Sequence, residues 1–399
     1  MELQYLKIGD LCNVSSSKRV FARQYVDEGI PFYRQKEIID KKNGNPLEEP
    51  IYISESVYNE FKDKSGVPEN GDLLITAVGA LGIPYIVDNE KFYFKDGNII
   101  WLSNFKRELN SQFLFYWIDS NFGTQTLWNR TIGSAQPALT IDSIKKLTIP
   151  IPSRKIQDKI ASTLKMYDKM LENNNKRIRL LNQMAENLYK EWFVRFRFPG
   201  YEDVKFENGI PEGWKRIKLK EFIKKSGKSI KKENLEESYK YVPIDFINSK
   251  SIALRKYDDL ENASSSLQTF QEKDILFGAM RPYFHKVSIA DFKGVTRSTC
   301  FVIQPIEEDY LYYVLMMLFQ ESTVNFATTI SVGSTMPYVR WEDFVRMNTL
   351  KPTKSVISDF YRKMAPLIKE MNILVAKNEK LTKQRDLLLP RLMSGKLEV

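Results

Sequence analysis

Apolar residues recur along this chain with two different periods, and the alternation between them marks four stretches. From Met1 to about Pro150, short runs rich in β-branched and aromatic residues (71–78, 84–87 and 98–102) are separated by Gly, Pro and Asn, a pattern that predicts strands and turns. Positions 111–122 carry a helical pattern instead, so one helix is expected to interrupt the strands. Ile149-Pro150-Ile151-Pro152 must be extended, because each proline disfavours helix in its predecessor, and Ser153 then offers an N-cap. A helix of about 40 residues is expected to follow, stopped by Pro199-Gly200. After a linker at 201–214 the plan returns: strands at 274–280, 287–290 and 299–303, a helix at 309–320, and a second long helix from Pro352-Thr353 to about Leu392.

Both long helices carry a heptad seam. In the first it runs through 160, 164, 167, 171, 174, 178, 181, 185, 188 and 192, with Asn174 as a polar break. In the second it runs through 360, 364, 367, 371, 374, 378, 381, 385, 388 and 392, where Asn378 interrupts. An antiparallel pairing in which partners' numbers add to 552 sets Asn174 opposite Asn378. A slip in register would leave each amide facing aliphatic carbon, at roughly 1 to 3 kcal/mol. The expectation is therefore a helical spacer of roughly 60 Å at about 1.5 Å per residue.

The two halves are copies. Gly133 and Gly333, Pro152 and Pro352, Ile156 and Val356, and Leu188 and Leu388 are each separated by 200 positions. Upstream the match loosens, to 202 between Asp72 and Asp274 and 211 between Leu6 and Ile217, so the globular parts have diverged more than the helices. The period is too long for a solenoid and indicates a duplicated domain. The expected fold is α+β: two similar mixed α/β domains at 1–150 and 199–350, with long helices at 151–198 and 351–399 forming an antiparallel coiled coil.

With 399 residues, 43% hydrophobic and 13% aromatic, the chain can build two or three real cores. Sixty Lys and Arg against 50 Asp and Glu favour an anionic partner. Cys12 and Cys300 lack any C-x-x-C spacing and read as reduced core thiols. The first residues show no secretory pattern and the apolar run 310–319 is too short to span a bilayer, so the expected location is the cytoplasm, with no membrane partner. Catalysis finds little support. Asn45-Pro46 is followed by Leu47 rather than a methyltransferase motif, Gly79-x-x-Gly82 is a fragment of a dinucleotide loop, and there is no Pro-Asp pair for a nuclease centre.

The segments Gly133-Ser134-Ala135-Gln136-Pro137, Ile149-Pro150-Ile151-Pro152 with Ile156-Gln157 and Ile160, Gly209-Ile210-Pro211-Glu212-Gly213-Trp214, and Leu389-Pro390-Arg391-Leu392-Met393-Ser394-Gly395-Lys396-Leu397 together resemble the specificity subunit of type I restriction-modification systems, the HsdS family. The resemblance spans essentially the whole chain. It implies a non-catalytic subunit in which each globular domain reads one half of a bipartite, asymmetric DNA site while the helices fix the unread gap. It also implies double-stranded DNA and two methyltransferase subunits carrying S-adenosylmethionine as partners, with room for two restriction/translocase subunits. Two departures stand out: the first domain lacks the Pro-Glu-Gly-Trp lead-in of the second, as if its amino-terminal part were shortened, and Ile357 replaces Gln157. A coiled-coil scaffold that joins proteins without reading DNA is the rival reading.

Candidate DNA contacts in the first domain are Lys18, Arg19, Arg23 and Gln24 in a polar loop, Arg34, Gln35 and Lys36 after a strand, and Ser134 and Gln136 in the repeated Gly-Ser-x-x-Pro turn. That turn fits a phosphate approach and a purely structural role equally well. In the second domain Arg281-Pro282-Tyr283-Phe284-His285-Lys286 combines guanidinium, aromatic rings and the single histidine, with Arg281, Tyr283, His285 and Lys286 as the candidates. Arg297 and Arg340 are weaker candidates, and Lys228 and Lys231 belong to a run of five lysines between 224 and 232 suited to phosphates or to solvent. Trp192, Phe193, Phe196 and Phe198 read as helix-end packing rather than a base-stacking platform.

Overall fold

The computed structural model describes residues 2–45, 47, 49–133, 137–263 and 266–393 and separates into two compact units. One holds residues 1–172 and the stretch from Leu381 onward; the other holds residues 173–380. The expected boundaries at 150, 198 and 350 follow changes of element, whereas compactness assigns parts of both long helices to each unit.

Each unit closes its globule with a two-stranded antiparallel sheet that leads into a long helix: Gln4–Lys7 with Thr148–Ile151, and Lys215–Lys218 with Asn348–Lys351. A four-stranded antiparallel sheet follows in the order Asn13–Ser15, Ile99–Ser103, Leu73–Thr76, Pro84–Ile86. Its counterpart is Ile223–Lys225, Cys300–Pro305, Ile275–Gly278, Val287–Ile289. These central strands are apolar without alternation because both faces are covered. Leu73, Ile75, Ile100 and Leu102 join one core with Phe113 and Trp117, while Leu74, Ile99 and Trp101 join another with Tyr33 and Phe94. In the second unit Ile275, Phe277 and Phe301 face one core, and Leu276, Cys300 and Val302 the other. Burial pushes the Cys12 and Cys300 thiols up to about 12, so both are inert.

The third sheet is where the copies part. In the first unit Ile51–Ile53 pairs with Ile30–Tyr33, which is parallel to Tyr93–Phe94. In the second, Leu267–Phe270 pairs instead with Gly294–Arg297, the later strand of the parallel pair formed with Lys240–Val242.

The helix expected at 111–122 is broken into two, and the one expected at 309–320 is followed by a further helix that the expectation does not include. Ser111–Asp119 stops at Ser120, whose extended backbone turns the chain and whose Oγ accepts from Gly123 N at 3.1 Å to start Asn121–Trp128. Leu311–Leu318 and Glu321–Thr329 are separated by the same extended backbone at Gln320, whose side chain makes no capping bond. Gly123 is required: a Cβ there would lie 1.9 Å from Trp117 O.

The long helices span Arg154–Tyr189, continued by a π-turn at Lys190–Val194, and Lys354–Met393. Within the second unit they run antiparallel. Asn174 Nδ2 donates to Asn378 Oδ1 at 2.8 Å, Asn378 Nδ2 donates to Asn175 Oδ1 at 3.0 Å, and further along Trp192 and Phe193 pack on Phe360. Ile178 and Leu374, the positions 200 residues from Asn378 and Asn174, are buried together in the core beside them. Within the first unit Arg385 donates to Asp168 Oδ1 at 2.9 Å, and Ile160 and Leu164 share a core with Leu388 and Leu392. Trp192, Phe193 and Phe198 are buried, Phe193 against Trp214 and Tyr313, Phe198 against Trp214, and Trp192 against Phe193 and Phe360, as helix-end packing requires. Among the described residues no helix is long and apolar enough to cross a membrane.

Candidate nucleic-acid interface

In each unit the loop leaving the central strand is zipped to the turn that carries the repeated Gly-Ser motif. Val78 and Ile132 bridge to Ala138, and Leu139 N donates to Ala77 O at 2.9 Å. Met280 and Val332 bridge to Tyr338, and Val339 N donates to Ala279 O at 3.0 Å. Two candidates that lie about 50 residues apart in the sequence, the 281–286 loop and the turn after Val332, thus become one surface. Arg281 fastens it, with its N–H on Pro337 O at 2.7 Å and its guanidinium on Thr335 O at 3.3 Å. The helices Asn121–Trp128 and Glu321–Thr329 flank these loops: Leu127 contacts the space beside Gly82, and His285 Nδ1 lies 3.7 Å from Glu321.

Tyr283 and Phe284 stand out from the second unit at 50% and 45% exposure. His285 corrects the sequence expectation. It is buried, its Nε2 is 2.7 Å from Phe319 O, and burial lowers its pKa, so it anchors the loop from beneath and offers no surface contact. Lys286 is also turned to a structural task, donating to Ile244 O at 2.9 Å.

In the first unit Gln35 Nε2 donates to Ala80 O at 3.1 Å, which brings the 34–36 candidates beside the 79–82 loop. Arg34 is engaged at home. Its Nε lies 3.1 Å from Glu37 Oε2, and its N–H donates to the same carboxylate at 2.8 Å, closing the N-terminus of Gln35–Lys42. Burial works to raise the Glu37 pKa, but Arg34 and the backbone N–H groups outweigh it and hold the carboxyl below its ordinary value. Lys36 is exposed.

Lys18 and Lys228 occupy matching places, exposed where the chain leaves the antiparallel sheet for the mixed one. The serines before Lys18 are spent on the backbone, Ser16 on Ile99 O and Ser17 on Phe94 O. Arg19 pairs with Asp96 at 3.2 Å. Exposed Arg23 lies over the Phe21 ring at 5.5 Å, while Gln24 Oε1 accepts from Phe21 N and is a capping residue. Lys231 and Arg297 are exposed near one end of the mixed sheet, two strands apart, and exposed Arg340 starts the short helix Trp341–Phe344. Ser134 and Gln136 lie outside the described residues.

The descriptors of known proteins agree with this architecture. A family model described as the type I restriction modification DNA specificity domain matches residues 2–183 and again 211–349. The chain is 25% identical over 437 aligned positions to the type I restriction enzyme MjaIX specificity subunit of Methanocaldococcus jannaschii, covering 98% of this chain and 93% of that protein. It is 24% identical to the MjaVIII specificity subunit of the same organism, over 87% and 85% of the two chains. Its fold is similar to the crystal structure of the type I restriction-modification S subunit from M. genitalium, with a TM-score of 0.62 at 15% identity over 98% and 96% of the chains. With both globules and most of the first long helix inside the match, the chain belongs to the family of type I restriction-modification DNA specificity proteins.

Proposed function

We propose that this chain is the sequence-specificity subunit of a type I restriction-modification complex, each recognition domain reading one half of a bipartite, asymmetric DNA site. The observation that carries the reading is the duplication itself: two DNA specificity domains on one chassis, whose central sheets agree and whose loops and third sheets do not. Unlike reading surfaces select unlike half-sites, and stiff helices between two readers hold the half-sites at a set spacing along the duplex. In this reading the subunit works on double-stranded DNA in the cytoplasm.

The subunit carries no cofactor of its own in this reading; two methyltransferase subunits bring S-adenosylmethionine. The first long helix leaves Met166 and Met170 half-exposed in the first unit and Leu180 and Met184 half-exposed in the second, adaptable apolar side chains suited to receiving such partners. Two restriction/translocase subunits join where cleavage accompanies modification.

Co-expression with the methyltransferase subunit, followed by mapping of methylated bases, is the test. The expected outcome is one bipartite motif whose second half changes when residues 215–350 are exchanged for those of a relative. Methylation that ignores the exchange, or proceeds unchanged without this chain, would sink the reading.

A further inference from the structure

We propose that Tyr283 and Phe284 form a wedge that enters the stack of the half-site read by the second recognition domain and opens one base step; this rests on the DNA-reading function proposed above. The two rings sit side by side at the tip of a loop, their centroids 4.8 Å apart and inclined by 57°, each about half in solvent. Loop tips seldom hold two adjacent aromatics outward without use, because the exposure forfeits burial that the same rings would gain inside.

The backbone is built to keep them there. Arg281 and His285, on either side of the Pro282–Phe284 turn, both adopt left-handed conformations, with φ of 50° and 51°. L-residues with a side chain avoid that region, and its occupation at both flanks of one turn marks a shape that the surroundings enforce. The enforcement is visible. Phe284 N donates to Arg281 O at 3.0 Å, His285 N to Pro282 O at 2.9 Å, and the buried imidazole is fixed to Phe319 O. Pro282 is itself buried and locks the turn from below.

Size decides between DNA and a protein as the occupant. Two half-exposed rings offer on the order of 200 Å². Even with neighbouring Met336 and Val332 the patch falls well short of the roughly 800 Å² per partner that a stable protein interface buries. A pair of rings does match one base step, where apolar side chains inserted from a rigid element unstack neighbours and kink the duplex. Around the tip Lys250 pairs with Glu321, Lys286 with Asp245, and Arg281 is held on Thr335 O, so the rings are what the loop offers to a duplex. The first domain has Ala80 and Leu81 between Gly79 and Gly82 at the matching place, so the wedge is a property of one half-site only.

The test uses the full chain assembled with its methyltransferase subunit and a duplex bearing its mapped methylation motif, with 2-aminopurine placed at each position of both half-sites in turn. Binding is expected to raise fluorescence at one step of the second half-site by about threefold or more, since unstacking relieves quenching. The rise should vanish in Tyr283→Ala/Phe284→Ala and survive in Tyr283→Phe. No brightening while the duplex is retained, or equal brightening in the double alanine variant, overturns the wedge and leaves the DNA-reading function standing. Failure of the wild-type assembly to prefer the mapped duplex over an unrelated one overturns both.

Discussion

The two recognition domains build the same loop with opposite residues. At the exit of the central strand the first domain places Gly79 and Gly82 in left-handed conformations, φ of 68° and 74°, and lays the loop against Gln35. The second places Arg281 and His285 there, and lifts two aromatic rings away from the body. The sheet beneath and the bridges to the Gly-Ser turn are the same in both. A duplicated chassis therefore fixes where a reading loop sits, and leaves what it presents free to diverge.

A second contrast lies at the roots of the long helices, and it offers the largest effect to measure. Gln157 is fully buried, accepts from Asn110 N at 2.9 Å, and donates to Glu108 O and Pro152 O at 2.8 and 2.9 Å. In the second domain Ile357 stands at its place, and Tyr310 OH donates to Pro352 O at 3.1 Å instead. The same carbonyl is satisfied from the other side. Gln157→Leu strands three backbone groups and is expected to cost roughly 3 kcal/mol, whereas Tyr310→Phe strands one, at about 1 kcal/mol. Urea unfolding of the two variants measures the ratio; equal losses would mean that the two helix roots are held by packing alone.

The amide pair comes next. Asn174–Asn378 and Ile178–Leu374 occupy positions related by the internal repeat, one polar and one apolar. Asn378→Leu leaves Asn174 without its acceptor and Asn175 without its donor, an expected loss of about 2 kcal/mol. The double variant Asn174→Ile/Asn378→Leu copies the apolar pair and should recover most of it. Recovery with altered spacing of the methylated half-sites would assign the amides to register, and recovery without it would assign them to stability alone.

The opposition of these amides is legible in the sequence, because a heptad seam turns spacing into geometry and a polar residue within it asks for a partner. The central strands are legible for a similar reason: runs such as Leu73–Thr76 are apolar on both faces and bounded by turn residues. The break at Ser120 is not, since it contains neither Gly nor Pro and the apolar pattern continues through it. Nor is the exchange of neighbours in the third sheet, which depends on which strand of a parallel pair is reached first. The candidate surface is legible only in fragments. Positive charge and aromatic rings mark the 281–286 loop, but the bridges that weld it to Tyr338 are long-range, and the burial of His285 depends on Phe319 and the turn at Gln320, about 34 residues on. The engagement of Arg34 does carry a signal in the sequence: Glu37 stands three residues on, the spacing of a capping pair.

The left-handed positions themselves give a smaller, signed comparison. Gly82→Ala puts a Cβ at φ of 74° and 3.3 Å from Leu127 Cδ1, and should destabilise by about 1 kcal/mol. Arg281→Gly relieves the same strain in the second domain while giving up the bond to Thr335 O, so its stability is expected to stay within about 0.5 kcal/mol of the parent. Opposite signs, or a clear gain for Arg281→Gly, report how much strain the loop stores; a large loss would show that the guanidinium is chiefly a brace.

The smallest effect is a dependence on pH confined to the second domain. Burial lowers the His285 pKa, the Phe319 carbonyl and the Glu321 and Glu186 carboxylates oppose that shift without reversing it, and Lys250 reinforces it. The unfolded chain therefore takes up a proton at this residue before the folded chain does. Its contribution is fully present above the ordinary histidine value of about 6.5 and is lost as pH falls below it toward the folded pKa. His285→Asn keeps a residue that tolerates φ of 51° and removes the titration. Between about pH 7.5 and pH 5.5 the parent should lose more stability than His285→Asn, by less than about 1 kcal/mol, read as the difference in their urea midpoints. The corresponding loop of the first domain holds no histidine, so a parallel loss in His285→Asn would trace the pH dependence to carboxylates common to both domains and detach it from the loop.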